Sequence, residues 1–187
     1  MSFLKNIDAT WTLFLDRDGV LNIEKDQDYI RNVDEFIFYD DVLSHFPILN
    51  KTFGKIIIVT NQRGIGKGLM THDDLHSIHS FLLTEINKHD GHIHQFYYAP
   101  DLENDSIDRK PNIGMGLKAK QEFPEIDFSK SIMVGNNISD MEFGKRLGMK
   151  TVYVNTTKPR TELHESIDLL QNSLPDFCKL IQSEINM

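Results

Sequence analysis

The sequence predicts an α/β fold with a mostly parallel central sheet, and three observations carry that prediction. Short apolar runs rich in β-branched and aromatic residues alternate with segments of helical period along the chain. No internal repeat or low-complexity stretch interrupts the alternation. With 187 residues, 40% hydrophobic and 26% charged, the chain suffices for one globular domain with a sizeable core, so residues 1–187 are read as a single domain.

The elements follow in order. Thr12 to Asp16 is a strand, and the stretch from Gly19 to Phe38 has no long period, which predicts a loop or small hairpin. Val42, Leu43, Phe46 and Leu49 give Asp41 to Thr52 a helical stripe that Pro47 should kink or split. Lys55 to Thr60 is the second strand. Thr71 and Asp74 form a capping box ahead of the stripe Leu75, Ile78, Leu82 and Ile86, and Gly91 ends that helix. Ile93 to Tyr98 and Ser131 to Val134 are further strands. Ser139 with Glu142 reads as a second capping box before Met141, Phe143 and Leu147, and Gly148 stands where a left-handed C-terminal residue belongs. Thr151 to Val154, a sixth strand at Ile167 to Leu170 and a closing helix from Ser173 to Ile185 complete the list.

Composition removes several classes of function. No run approaches the roughly 20 apolar residues of a membrane helix, and Met1-Ser2-Phe3-Leu4-Lys5 lacks a signal-peptide core, so a soluble cytoplasmic protein is expected. Cys178 is the single cysteine, which excludes an internal disulfide and a zinc site built on several thiolates. The formal net charge of −8 repels a nucleic-acid backbone. A small-molecule partner is expected, with no membrane and no nucleic acid. A monomer is compatible with the sequence, which does not set the oligomeric state.

In a parallel sheet the ligand site lies beyond the carboxyl ends of the strands, and the chemistry-bearing residues gather there. Strand one runs directly into Asp16-Arg17-Asp18-Gly19. Two carboxylates two residues apart are costly to ionise together unless a cation neutralises them, and such oxygen-rich sites suit Mg²⁺. Strand two ends in Thr60-Asn61 and continues through Gln62-Arg63-Gly64-Ile65-Gly66-Lys67-Gly68, whose glycines let backbone N–H groups turn toward an anion. Arg109-Lys110-Pro111 follows strand three, and Asn136 and Asp140 sit four residues apart after strand four. Each of these has a bland alternative as a solvated turn, a basic spot or a capped loop. Four strand exits supplying acid pair, hydroxyl, lysine and acid in that order outweigh those alternatives taken together.

That order resembles the haloacid dehalogenase superfamily of aspartyl phosphotransferases. The resemblance is carried by Phe14-Leu15-Asp16-Arg17-Asp18-Gly19-Val20-Leu21-Asn22, by Thr60, by Lys110 and by Gly135 to Asp140. Val59-Thr60-Asn61-Gln62-Arg63-Gly64-Ile65 and Arg109-Lys110-Pro111 are similar to the subgroup containing heptose-bisphosphate and histidinol-phosphate phosphatases. It implies a Rossmann-like α/β/α sandwich of three layers without a large cap domain, and Mg²⁺-dependent hydrolysis of a small phosphomonoester, a sugar phosphate or histidinol phosphate. Asp16 would be the nucleophile, Asp18 the acid and base, and Thr60 and Lys110 the groups that bind phosphoryl oxygens. Mg²⁺ would be held by Asp16, the Asp18 carbonyl, Asn136 and Asp140, while Asn61, Arg109 and Gly19 would meet the substrate.

Two departures bear on that expectation. The fourth motif usually has aspartate where this chain has Asn136, which should weaken metal binding. Relatives of the heptose type tend to carry a zinc loop of cysteines and a histidine after strand three, and Tyr98 to Asp108 has neither, so no structural zinc is expected. His72, His76, His79, His92 and His94 read as a solvated surface. The alternatives are a polynucleotide 3′-phosphatase, against which the acidic charge counts, and a noncatalytic metal- or phosphate-binding module, which Asn136 admits. Turnover of an aryl phosphate separates enzyme from module.

Overall fold

A computed structural model describes residues 3–160 and 164–185. Six strands form one sheet: β1 (Thr12–Leu15), β2 (Lys55–Asn61), β3 (Gln95–Ala99), β4 (Ser131–Gly135), β5 (Lys150–Val154) and β6 (Leu169–Gln171). Their spatial order is β3-β2-β1-β4-β5-β6, and every neighbouring pair is parallel. Helices α1 (Val42–Thr52), α2 (Arg63–Gly66), α3 (His72–Lys88), α4 (Gly114–Glu122), α5 (Ile138–Leu147) and α6 (Leu174–Ile185) complete the fold.

The alternation of side chains along a strand decides which helix covers which face. Leu13 and Leu15 pack with Phe46 of α1, Leu82 of α3 and Phe177 of α6. Phe14, between them, packs with Met115 of α4 and with Met141 and Phe143 of α5. All four β1 residues are buried, as a central strand covered on both faces requires. The result is a three-layer sandwich whose chain reverses direction across the sheet at β1, and the crevice opens there.

Most elements lie where the sequence predicts them, and the differences have physical causes. Pro47 sits inside α1 without dividing it, although it removes a helical hydrogen bond at a cost of about 3 kcal/mol. Phe46 and Leu49, both fully buried, hold the helix against the sheet through that defect. The capping box at Thr71 forms as expected, with the Asp74 N–H donating to the Thr71 hydroxyl at 3.1 Å. That helix stops at Lys88, ahead of Gly91. The predicted box at Ser139 and Glu142 does not form: α5 opens earlier, at Asn137, whose N–H donates to Asp140 Oδ2 at 3.0 Å. Gly148 takes the left-handed conformation, φ 84°. The segment after β1 is a small hairpin, the Ile23 N–H bonding to Ile37 and the Tyr39 N–H to Leu21. His79 is no surface residue. It lies on the buried stripe of α3, stacks on Phe96 at 4.4 Å between ring centres, and burial, reinforced by Arg17, pushes its imidazole down to about 3. No helix is long and apolar enough, among the described residues, to cross a membrane.

Gly54 makes the turn from α1 into β2, its N–H bonding to the Trp11 carbonyl. A Cβ there would stand 2.1 Å from the Ala9 carbonyl oxygen. Gly54→Ala is therefore predicted to destabilise the fold by about 1–3 kcal/mol through overpacking, read as a lowered urea midpoint. An unchanged midpoint would show that this turn relaxes freely.

Candidate active site

The exit of β1 is a tight loop built on one carbonyl. Arg17 O accepts from the N–H groups of Val20 and Leu21, while Asp16 N–H extends the sheet by donating to Val134 O at 3.0 Å. The Asn22 N–H reaches Arg17 O and the Gly19 N–H reaches Asn22 O, so this bridge leaves the Asp18 carbonyl unused. Gly19, expected at the substrate, lies elsewhere. It is left-handed at φ +79°, and a Cβ on it would come within 1.9 Å of Asn136 Nδ2. Glycine serves close packing between the first and fourth strand exits.

The two acids meet opposite environments. Asp18 accepts from Arg17 Nη2 at 2.9 and 2.8 Å, from Asn22 Nδ2 at 2.9 Å and from Gln62 Nε2 at 2.9 Å. Burial pushes its carboxyl up, but Arg17 and these hydrogen bonds outweigh it and hold the group below the ordinary carboxylate range. Asp16 Oδ1 takes the Arg17 N–H at 2.8 Å and Lys110 Nζ at 3.0 Å, so its other oxygen faces the cleft. Burial is its dominant influence. Asp140 and Asp18 add to it, Lys110 opposes it, and the Asp16 carboxyl is pushed up to about 7.

Lys110 is 2% exposed, and all three of its ammonium protons have acceptors: Val59 O at 2.7 Å, Asp16 Oδ1 at 3.0 Å and Asp140 Oδ1 at 2.7 Å. Burial pulls the ammonium down, but Asp140 and Asp16 prevail and hold it above its ordinary value. Its backbone is clamped by the Asn61 amide, which donates to Lys110 O at 3.1 Å and accepts from Lys110 N–H at 3.0 Å. Asn61 therefore lines the cleft with an amide that also holds this loop. The Thr60 hydroxyl accepts from Gln62 Nε2 at 2.9 Å and retains its own proton to donate.

The fourth exit differs from expectation. Asp140 gives Oδ1 to Lys110 and Oδ2 to the Asn137 N–H, so both of its oxygens already carry a partner. It is an anchor for Lys110, and Gly135 makes room for it, since a Cβ there would lie 2.4 Å from its carboxylate. Asn136 is fully buried and does not line the cleft. Its Nδ2 donates to Glu24 Oε2 at 2.9 Å and Thr157 Oγ1 at 2.7 Å.

These residues enclose a cleft of about 220 Å³ that Asp16, Asp18, Thr60, Asn61, Arg109, Lys110 and Asp140 all line. The hairpin after β1 adds Glu24, Lys25, Asp28, Tyr29 and Ile30. In the glycine run beyond Thr60 the amides of Ile65, Lys67 and Gly68 bond back to Gln62, Arg63 and Ile65 within and around α2, which removes these three from an anion cradle. Its glycines answer packing instead: a Cβ on Gly66 would lie 2.4 Å from the Pro100 carbonyl. Sequence reasoning passed over Arg17 and Gln62, which fix Asp18, and Glu24. An arginine enclosed between two aspartates at a buried strand exit was the available signal for the first.

A divalent cation fits the donor chemistry of this cleft. Among the described residues, three carboxylates, Asp16, Asp18 and Asp140, share only Arg17 and Lys110 as ion-pair partners, and Asp140 and Asp18 add to the burial that raises the Asp16 carboxyl. Among the described residues, no three His, Cys, Asp or Glu side chains form a ligand cluster by themselves. The Asp16 carboxylate and the Asp18 carbonyl could hold such a cation together.

The family described as "Polynucleotide kinase 3 phosphatase" matches residues 12–168. The D-glycero-alpha-D-manno-heptose-1,7-bisphosphate 7-phosphatase of Campylobacter jejuni is 36% identical over 169 residues, covering 90% of this chain and 96% of that protein. The D-glycero-beta-D-manno-heptose-1,7-bisphosphate 7-phosphatase of Escherichia coli K12 is 32% identical over 182 residues, covering 92% and 94%. The fold of D,D-heptose 1,7-bisphosphate phosphatase from B. bronchiseptica, crystallised with magnesium and phosphate, superimposes with a TM-score of 0.84 at 23% identity, covering 93% of this chain and 99% of that one. With the match running from β1 to the threshold of β6 and relatives covered almost end to end, the chain belongs to the haloacid dehalogenase superfamily of phosphatases.

Proposed function

We propose that this protein is a Mg²⁺-dependent phosphomonoesterase that works through an aspartyl-phosphate on Asp16. One observation carries the reading: Asp16 has one oxygen pinned by Lys110 and the Arg17 amide and the other open to the cleft. The open oxygen attacks phosphorus, the bond to the leaving alkoxide breaks, and a mixed anhydride forms. The Thr60 hydroxyl donates to a phosphoryl oxygen. Lys110, its protons committed, acts as a fixed positive charge that keeps Asp16 aligned. A bound divalent cation would neutralise charge on the phosphoryl oxygens and on Asp16. In the second displacement Asp18, held ionised by Arg17, Asn22 and Gln62, takes a proton from the water that attacks phosphorus and returns Asp16 as carboxylate.

The first displacement needs Asp18 in its protonated form to supply the leaving group, which its environment makes scarce at neutral pH. Leaving groups that require a proton should therefore depend on it most. Asp16→Asn is predicted to abolish turnover and phosphate labelling of the protein. Asp18→Asn is predicted to slow an alkyl phosphomonoester by about 10²–10⁴-fold and an aryl phosphate much less. Equal losses on both substrates would remove Asp18 from the leaving-group step.

The Asp16 carboxyl also sets a stability profile. Its folded-state value of about 7 lies above the ordinary 3.8, so its contribution is complete below 3.8 and is lost as pH rises to about 7. In chelator, wild type should lose stability relative to Asp16→Asn across that window, and added Mg²⁺ should restore it above pH 7. Parallel thermal melts of the two proteins at pH 5 and pH 8 read this directly, and identical slopes would contradict the buried-acid assignment.

For substrate, we infer a sugar phosphate carrying a second anionic group, with heptose bisphosphate as first choice, handled in the cytoplasm. The named activities of the relatives support it, as does the cleft rim. Arg109 lines the cleft, Arg63 lies close enough to push its guanidinium down after burial does so, and among the described residues neither makes an ion pair. The formal charge of −8 disfavours a polynucleotide. Arg109→Ala should raise KM for a sugar bisphosphate at least tenfold and leave that for a simple monophosphate nearly unchanged. A phosphate-release screen of mono- and bisphosphates with both proteins tests this, and a uniform change would reject the second-anion subsite.

A further inference from the structure

Glu24 reaches the cleft from the hairpin after β1, and the fourth strand exit holds it there. Its Oε2 accepts from Asn136 Nδ2 at 2.9 Å, while the same nitrogen donates to Thr157 Oγ1 at 2.7 Å and Asn136 Oδ1 accepts from Asn137 Nδ2 at 3.2 Å. The Asn136 amide is fully buried and bonded at both ends, so its nitrogen is fixed toward the glutamate. An amide nitrogen offers only protons, and it leaves the negative charge of its carboxylate partner intact. The cations of its own segment are committed elsewhere, Lys25 to Glu35 at 2.8 Å and Arg31 to Asp28 at 2.6 Å, and Lys158 Nζ donates to Asn137 Oδ1 at 3.1 Å. Glu24 thus presents an unpaired carboxylate, among the described residues, to the cleft that Asp16 and Asp18 line.

We propose that Glu24 supplies the second anionic oxygen of the divalent-cation site, and that Asn136 is the positioning residue that aims it. The inference rests on the cation reading above and adds to it a ligand from outside the four strand exits. It gives the neutral amide at position 136 a reason, because a carboxylate there would stand about 3 Å from Glu24 and repel it. Asn136 then belongs behind the ligand shell.

Mn²⁺ is the probe, with binding read by electron paramagnetic resonance of the free ion and folding checked by thermal melts. Glu24→Gln keeps the shape and removes the charge, and it should weaken Mn²⁺ binding about tenfold or more. Asn136→Asp alone should lower the melting temperature in chelator and leave Mn²⁺ binding no tighter. The exchange variant Glu24→Gln with Asn136→Asp should recover part of the affinity lost in Glu24→Gln. Wild type that binds Mn²⁺ while Glu24→Gln matches it within twofold overturns the role of Glu24 and leaves the cation reading standing. Tighter binding by Asn136→Asp also overturns it, by making position 136 itself the ligand. Wild type that binds no Mn²⁺ at millimolar concentration overturns the cation reading and this inference with it.

Discussion

The ammonium of Lys110, shared between Asp16, Asp140 and the Val59 carbonyl, is the interaction on which the site depends. It draws together three segments that share no sequence neighbourhood: the end of β1, the body of β2 and the first turn of α5. Burying a charge at 2% exposure is unfavourable unless every proton finds an acceptor, and here all three do. Removing one member of such a set leaves a buried charge uncompensated, typically at 3–5 kcal/mol. The fold makes room for this arrangement at Gly135, where any side chain would collide with Asp140, and at Asn61, whose amide carries the backbone of Lys110 from below.

That arrangement explains why two aspartates two residues apart behave differently. Both are desolvated, which alone would raise both. Asp18 gathers a guanidinium and two amides of its own, whereas Asp16 shares its one cation with Asp140 and keeps an oxygen bare. A bare, poorly compensated carboxylate is a better nucleophile than a fully hydrogen-bonded one. Environments that push neighbouring acids apart are how one loop carries two chemical roles.

Much of this was legible before any coordinates. Short apolar runs such as Leu13-Phe14-Leu15, alternating with segments of helical period, predicted the sheet, and the rule that chemistry gathers at strand exits picked out Asp16, Asp18, Thr60, Lys110 and Asp140. What the sequence hides is the sharing of partners. Asp140 looks like a metal ligand in the sequence, and the structure adds Lys110 and the Asn137 amide as partners of its two oxygens. Asn61 looks like a substrate contact in the sequence, and the structure adds that its amide also holds the Lys110 loop. The glycines from Gly64 to Gly68 look like a phosphate cradle, and the structure takes the Ile65, Lys67 and Gly68 amides out of it by bonding them within and around α2. A residue's type advertises what it is able to bond, and only the tertiary structure says what it has already bonded.

The same reasoning runs in the other direction for residues that the sequence passes over. Arg17 is fully buried, and its place between two aspartates at a strand exit was the signal for it. Its burial is tolerated because Asp18 takes two of its nitrogens and Gln62 bonds both partners, so that the guanidinium, the acid and the amide satisfy one another. His79 is buried nearby in neutral form, where a second positive charge beside Arg17 would be unfavourable. The hairpin that carries Glu24 completes this pattern from a segment with no helical or strand period to mark it. Where periodicity fails, side-chain charge is the remaining guide, and a carboxylate is informative only once its nearest cations are known to be taken. Lys25 and Arg31 are taken, by Glu35 and Asp28, and the bond from Asn136 together with its place on the cleft wall distinguishes Glu24 from the other unpaired acids of the same segment.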